Sequence, residues 1–110
     1  MHFEIKKNGK ATILKVKARK LDANISPELK GEFLVLCAPQ TKELIIDLED
    51  VEFCDSSGLS VLLIAERKMR ENSGVVKLAG MQKKVMTLIK ISHLDRAFKI
   101  YDTVAKAVKT

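Results

Sequence analysis

Short apolar runs alternate along this chain with segments of helical period, and that order constrains the fold more than any other feature. Phe3-Glu4-Ile5-Lys6 alternates apolar with polar, Asn8-Gly9 follows, and residues 11–17 alternate again. An Asn-Gly pair between two alternating runs is a strong hairpin signal, because both residues tolerate the positive φ that tight turns require. Antiparallel strands are therefore expected near 2–7 and 11–17. Ser26-Pro27-Glu28 reads as a helix start, with Ser26 as N-cap and Pro27 at the first helical position. This helix carries Leu29, Phe33, Leu34 and Leu36 and stops before Pro39. Residues 43–48 form a short apolar run, a buried strand, and 49–54 read as a connector anchored by its apolar residues. A helix is expected from about 57 to 71, stopped by Asn72-Ser73-Gly74. A short strand follows at 75–79, then a helix at 83–91 with Val85, Leu88 and Ile89 on one face. Phe98-Lys99-Ile100-Tyr101 reads as a last strand or extended piece, and Asp102 or Thr103 caps a final helix reaching Lys109. Strands alternating with helices imply an α/β fold: a small, mostly parallel sheet with one antiparallel hairpin edge, flanked by about four helices.

Length and composition narrow the class. The 110 residues suit one domain spanning 1–110. Hydrophobic residues at 46% against 31% charged exclude intrinsic disorder. The longest uninterrupted apolar run, Phe33-Leu34-Val35-Leu36-Cys37-Ala38, is far short of the roughly 20 residues that cross a bilayer. The N-terminus has no secretory apolar core, and Cys37 and Cys54 are too few for a disulfide framework. A cytoplasmic protein with reduced thiols is expected. Net charge is +6, but residues 1–55 hold 9 basic and 10 acidic groups while 56–110 hold 11 and 4. Seven bases fall between Lys6 and Lys20 with no acid among them. With no Trp, one Tyr and no zinc-finger spacing, this basicity reads as a solvated lysine face, and direct nucleic-acid binding is not expected.

In open parallel sheets, sites gather where strands end and helices begin. That directs attention to Phe53-Cys54-Asp55-Ser56-Ser57-Gly58-Leu59, which sets a carboxylate and two hydroxyls at a helix N-terminus. Asp and Ser are preferred N-caps, so plain capping explains the residues locally. The same helix end carries free N–H groups and partial positive charge, which favour an anion such as phosphate, and Gly58 permits close backbone approach. Nothing supports catalysis: no G-x-S-x-G elbow is present, His2 lies near a terminus, and His93 reads as an exposed helix end. Neither His nor Cys falls at metal-ligand spacing, and no nucleotide-cradling glycine loop occurs, so no metal and no cofactor is expected. Along the following helix Val61, Leu62, Ala65 and Met69 share a core face, while Leu59, Leu63 and Ile64 fall outside it. Ser60, Arg67 and Arg70 share the outer side with Leu63. Apolar residues beside a polar rim suit a protein-binding surface, or else neighbouring helices cover them.

The run from Asp47 to Leu59, Asp-Leu-Glu-Asp-Val-Glu-Phe-Cys-Asp-Ser-Ser-Gly-Leu, resembles the signature of the STAS family, specifically the bacterial anti-sigma-factor antagonists. The resemblance extends over the chain, through Leu21-Asp22, Val85 with Leu88, His93-Leu94-Asp95 and Phe98-Lys99-Ile100. It implies a non-enzymatic binding module that docks on an anti-sigma factor and frees a sigma factor. The partner, a serine kinase, would switch it off by phosphorylating Ser56, and a separate serine phosphatase would reverse the change. Asp55, Ser57, Gly58 and Asp22 would support the site. Leu59, Ser60, Leu63, Ile64 and Arg67 would meet the partner. A soluble STAS subunit of a transport system, or another regulatory scaffold without serine control, is the alternative. Two departures stand out. Arg19-Lys20 replaces the Gly-acidic pair usual before Leu-Asp, and Ser60 replaces a frequent glycine. Arg19 and Lys20 are expected near the N-terminus of the helix that follows Ser56, at the rim of the partner surface.

Overall fold

The first two strands set the frame in the computed structural model, which describes residues 2–109. Strands β1 (Phe3–Asn8) and β2 (Ala11–Val16) pair antiparallel with Phe3 opposite Val16 and Asn8 opposite Ala11. The turn is therefore Gly9-Lys10, one residue later than the Asn-Gly pair suggests, and Gly9 takes φ +62 while Lys10 does not turn left-handed. Positive φ at the first central residue alone is the pattern of a type II′ turn, which matches strand twist.

The chain continues through β3 (Lys20–Leu21), α1 (Ser26–Leu36), β4 (Glu43–Asp47), β5 (Phe53–Cys54) and α2 (Ser56–Glu71). It closes with β6 (Val75–Ala79), α3 (Lys83–Ile91), a 3₁₀ turn at Leu94–Arg96, β7 (Lys99–Tyr101) and α4 (Val104–Lys109). The main sheet runs β1-β2-β4-β6-β7, and every pair after the hairpin is parallel. Parallel neighbours need crossover connections, and α1, α2 and α3 supply them. The expected mixed α/β sheet with a hairpin edge and four helices is what forms.

Side-chain parity divides the sheet into two faces. Leu14, Val16, Leu44, Ile46, Val76 and Leu78 form one core with Leu29 and Phe33 of α1, Leu62 and Met69 of α2, and Ile89 of α3. The opposite face is covered by α4, where Ala107 packs on Ala11, Ile45 and Ala79. Lys77 lies on that second face and is 3% exposed. Its ammonium pairs with Glu43, donates to the Ala107 carbonyl at 2.8 Å, and sits 5.4 Å from the centre of the Tyr101 ring. A buried cation survives because charge and hydrogen-bond capacity are both met.

Four local readings change. Ser26 is not the N-cap of α1; Ile25 is, and Ser26 is the first helical residue. The Asp22 carbonyl already accepts from Ser26 N at 2.9 Å and from the Ser26 hydroxyl at 2.7 Å, so winding begins before the proline. The connector 49–54 contains a strand, because β5 pairs in parallel with β3, Lys20 opposite Phe53 and Leu21 opposite Cys54. Two-residue strands are too short to carry a period-2 signal. Helix α2 starts at Ser56, one residue earlier than expected. The last strand excludes Phe98, which is buried, and the Thr103 hydroxyl accepts from Lys106 N at 3.1 Å to cap α4. Among the described residues no helix is long and apolar enough to cross a membrane.

The buried lysine yields a test. Lys77→Met keeps an apolar stem but removes the donor to the Ala107 carbonyl and the charge beside Glu43. Urea titration should show a loss of about 1–3 kcal/mol, with amide exchange in α4 accelerating most. A change within the roughly 0.5 kcal/mol typical of surface substitutions would contradict this role.

Candidate functional site

The junction between β5 and α2 is built from its own backbone outward. Asp55 is extended (φ −109, ψ −172) and caps α2. Its Oδ1 accepts from Ser57 N at 2.9 Å, from Gly58 N at 3.1 Å and from the Ser57 hydroxyl at 2.6 Å. These donors stabilise the ionised form. The Ser57 hydroxyl leads, the Gly58 amide follows, and the Ala23 amide of the β3–α1 turn adds a smaller contribution, so the Asp55 carboxyl lies below its ordinary value. Ser57 is thereby committed to the cap. Ser56, the first helical residue, is exposed, and its hydroxyl makes no hydrogen bond among the described residues. No acidic side chain occupies the first turn of α2, so the partial positive charge of the helix end is not offset there by a helical residue.

Gly58 permits the close approach expected of it. A Cβ at this position would lie 2.4 Å from the Leu21 carbonyl oxygen and 2.7 Å from the Cys54 sulfur. The close neighbour is the chain's own β3, not a ligand. The same Leu21 carbonyl accepts from Asp55 N at 3.2 Å, and the Arg19 carbonyl accepts from Glu52 N at 2.7 Å and Phe53 N at 3.1 Å. Strand β3 thus seats both β5 and the start of α2. Asp22 follows β3, and its carboxylate accepts from Asn24 N at 3.0 Å. Asp22 shapes the turn into α1, and among the described residues its hydrogen bonds run there rather than to Asp55 or Ser56.

Arg19 and Lys20 flank this junction through the β3–β5 pairing. The Arg19 guanidinium forks onto Glu52 at 2.9 and 3.1 Å, which holds the Glu52 carboxyl below its ordinary value. Lys20 is exposed. On α2, Leu59 and Leu63 pack partly against the core, so neighbouring elements take much of their surface. Ser60, Ile64 and Arg67 stand on the side facing α1. Sequence reasoning passed over Phe53, which is 52% exposed and borders a groove of about 590 Å³ beside Arg19 and Lys20. Its signal is parity: Cys54 points inward, so its strand neighbour points out.

The remaining reactive groups are quiet. Burial, with the Asp55 charge adding to it, pushes the Cys54 thiol up to about 12. Burial pushes Cys37 up to about 11 against the opposing pull of Lys68. His2 bonds Glu28 at 2.9 Å on the surface, and His93 is exposed. Among the described residues no group of three or more His, Cys, Asp or Glu could hold a metal.

Three outcomes are expected. Gly58→Ala should cost about 1–3 kcal/mol, the usual range for overpacking, measured by urea titration, and a neutral result would contradict the tight Leu21 contact. A depressed carboxyl stabilises the fold above its unfolded pKa and loses that contribution as pH falls through the folded value. The stability gap between the native protein and Asp55→Ala should therefore narrow as pH drops below the ordinary value of 3.8, and a constant gap would contradict the charged cap. Neither thiol should react with a disulfide reagent near pH 8 until the chain unfolds, since few thiolates form at those pKa values; rapid labelling of the folded protein would contradict their burial.

The comparisons with known proteins agree with this architecture. The STAS domain profile matches residues 2–107. A Thermotoga maritima relative is 31% identical over 67 residues, covering 61% of this chain and 59% of the relative's length. The anti-sigma-B factor antagonist of Bacillus subtilis is 32% identical over 77 residues, 70% of each chain. The Bacillus cell fate determinant SpoIIAA, solved in its phosphorylated form, shares the fold with a TM-score of 0.76 at 16% identity, over 97% of this chain and 96% of that one. With the profile spanning nearly every described residue and the sheet order laid out above, this chain belongs to the STAS domain family.

Proposed function

We propose that this chain is an anti-sigma-factor antagonist switched by phosphorylation of Ser56. One observation carries the reading. The Ser56 hydroxyl is exposed at the first residue of α2, while the adjacent Ser57 hydroxyl is engaged by Asp55. A kinase active site that receives this helix end meets one free hydroxyl and one occupied one. The anti-sigma-B role of the Bacillus subtilis relative supports the antagonist reading, and the phosphorylated form of SpoIIAA supports control by phosphorylation.

In the unmodified state the chain docks on an anti-sigma factor with serine kinase activity, and the sigma factor is freed. The partner moves the γ-phosphoryl of ATP to Ser56 Oγ: the Oγ–P bond forms, the bond from the γ-phosphorus to the β–γ bridging oxygen breaks, ADP leaves, and the hydroxyl proton passes to a base of the kinase. ATP chemistry belongs to the partner, so this chain is a binding module rather than an enzyme. The new group adds about −1.5 to −2 charges. Its own helix end tolerates them. An interface packed onto that end does not, since unpaired buried charge costs several kcal/mol. A separate serine phosphatase hydrolyses the ester and restores binding. The site of action is the cytoplasm, where sigma factors work. Arg19 and Lys20 stand at the rim and steer an acidic partner surface, an effect that salt screens.

Peptide mass spectrometry on protein from its native cells should find phosphate on Ser56. Against the co-purifying anti-sigma factor, Ser56→Ala should bind constitutively and Ser56→Asp poorly. Equal affinity of the two variants would remove the switch. Arg19→Glu with Lys20→Glu should slow association at low salt with little change in melting temperature, since the Arg19–Glu52 pair is exposed and contributes little to stability. An unchanged association rate would exclude a steering role.

A further inference from the structure

We propose that the groove between α1 and α2 receives an acidic amphipathic helix of the partner. This rests on the antagonist reading above. The groove begins beside Ser57 and is lined there by Pro27, Lys30, Ser60 and Ile64, with a volume of about 460 Å³. A second stretch of about 270 Å³ shares Lys30 and Ile64 and continues to Arg67, Lys68 and Glu71. The two stretches meet at Lys30 and Ile64 and follow one another along α2. From Ser57 to Glu71 the rise is about 21 Å, the length of a helix of roughly 14 residues.

The walls specify the occupant. Apolar lining comes from Pro27, Val61 and Ile64. Lys30, Arg67 and Lys68 take part in no ion pair among the described residues, whereas Arg70 on the same helix is paired with Glu66. Among the described residues lining the two stretches, Glu71 is the one carboxylate. Three unpaired cations around an apolar strip complement a helix with an apolar face flanked by Asp and Glu. The placement also gives phosphorylation its direction. Ser56 is exposed at the first residue of α2, next in the chain to Ser57 at that end of the groove. A phosphate there sets negative charge near the end of an acidic helix, while the exposed Lys30 and Arg67 remain to draw the segment back once the phosphate is removed.

The test uses photo-crosslinking and charge reversal with the co-purifying anti-sigma factor. A benzoylphenylalanine at Ile64 should cross-link to a partner peptide that is net acidic and has helical apolar spacing, and the same probe at Ile13 on the opposite sheet face should not. Lys30→Glu with Arg67→Glu should weaken binding at least about tenfold at low salt, and less at high salt. A compensating Glu-to-Lys change in the cross-linked peptide should restore it. A basic or extended cross-linked peptide, unchanged affinity of the double variant, or cross-linking only to a second copy of this chain would each overturn the proposal. If Ser56→Ala and Ser56→Asp still differ in binding while the double variant does not, the groove assignment alone fails. If the two Ser56 variants bind alike, the antagonist switch fails.

Discussion

The candidate site hangs on one backbone oxygen, the carbonyl of Leu21. It accepts a hydrogen bond from Asp55 N and lies where a Cβ on residue 58 would have to stand. The two contacts together fix where α2 begins relative to β3. Once that distance is set, Asp55 is extended and capping, Ser57 bonds its carboxylate, and Ser56 is exposed. Loosening the seat would leave the same residues in sequence but free the cap to rotate. This explains why an isolated Asp-Ser-Ser-Gly string carries little meaning outside a fold that delivers a strand to Gly58.

The arrangement separates stability from signalling. Groups that hold the fold are buried and satisfied: the core of β2, β4 and β6 under three helices, and Lys77 locked between Glu43, Ala107 and the Tyr101 ring. Ser56 belongs to neither set, because its hydroxyl makes no hydrogen bond within the described residues. Charge added there need not break anything inside the domain. In the proposed mechanism what it alters is the surface beside α2, so that the domain would be read by its partner without refolding.

How much of this could be read from the residues differs by level. Element order was legible because runs of strand and helical period alternate, and that alternation with the Asn-Gly pair implied a mostly parallel sheet with a hairpin edge. The cap was legible because Asp at that position has few other uses. The β3–β5 ladder was not, since two-residue strands offer no alternation to count. Without it, the close approach at Gly58 had no named neighbour, and Phe53 looked like an anchor although it faces solvent. Ser26 was misplaced for a related reason: the Asp22 carbonyl draws the backbone into a helical turn before the proline, a contact invisible in the string. Leu59 and Leu63 show the limit of a helical wheel, which places residues around an axis but does not say how far the neighbouring core extends.

The central claim is that a phosphate on Ser56 changes the surface and leaves the domain intact. Amide chemical shifts measured on protein carrying phosphoserine at position 56, compared with the unmodified protein, test it most directly. The account predicts changes confined to the amides around Asp55, the first turn of α2 and the facing β3–α1 turn, with the sheet amides unmoved. Shifts spread through β2, β4 and β6, or loss of dispersed signals, would show that the modification acts by refolding the domain and would contradict the account.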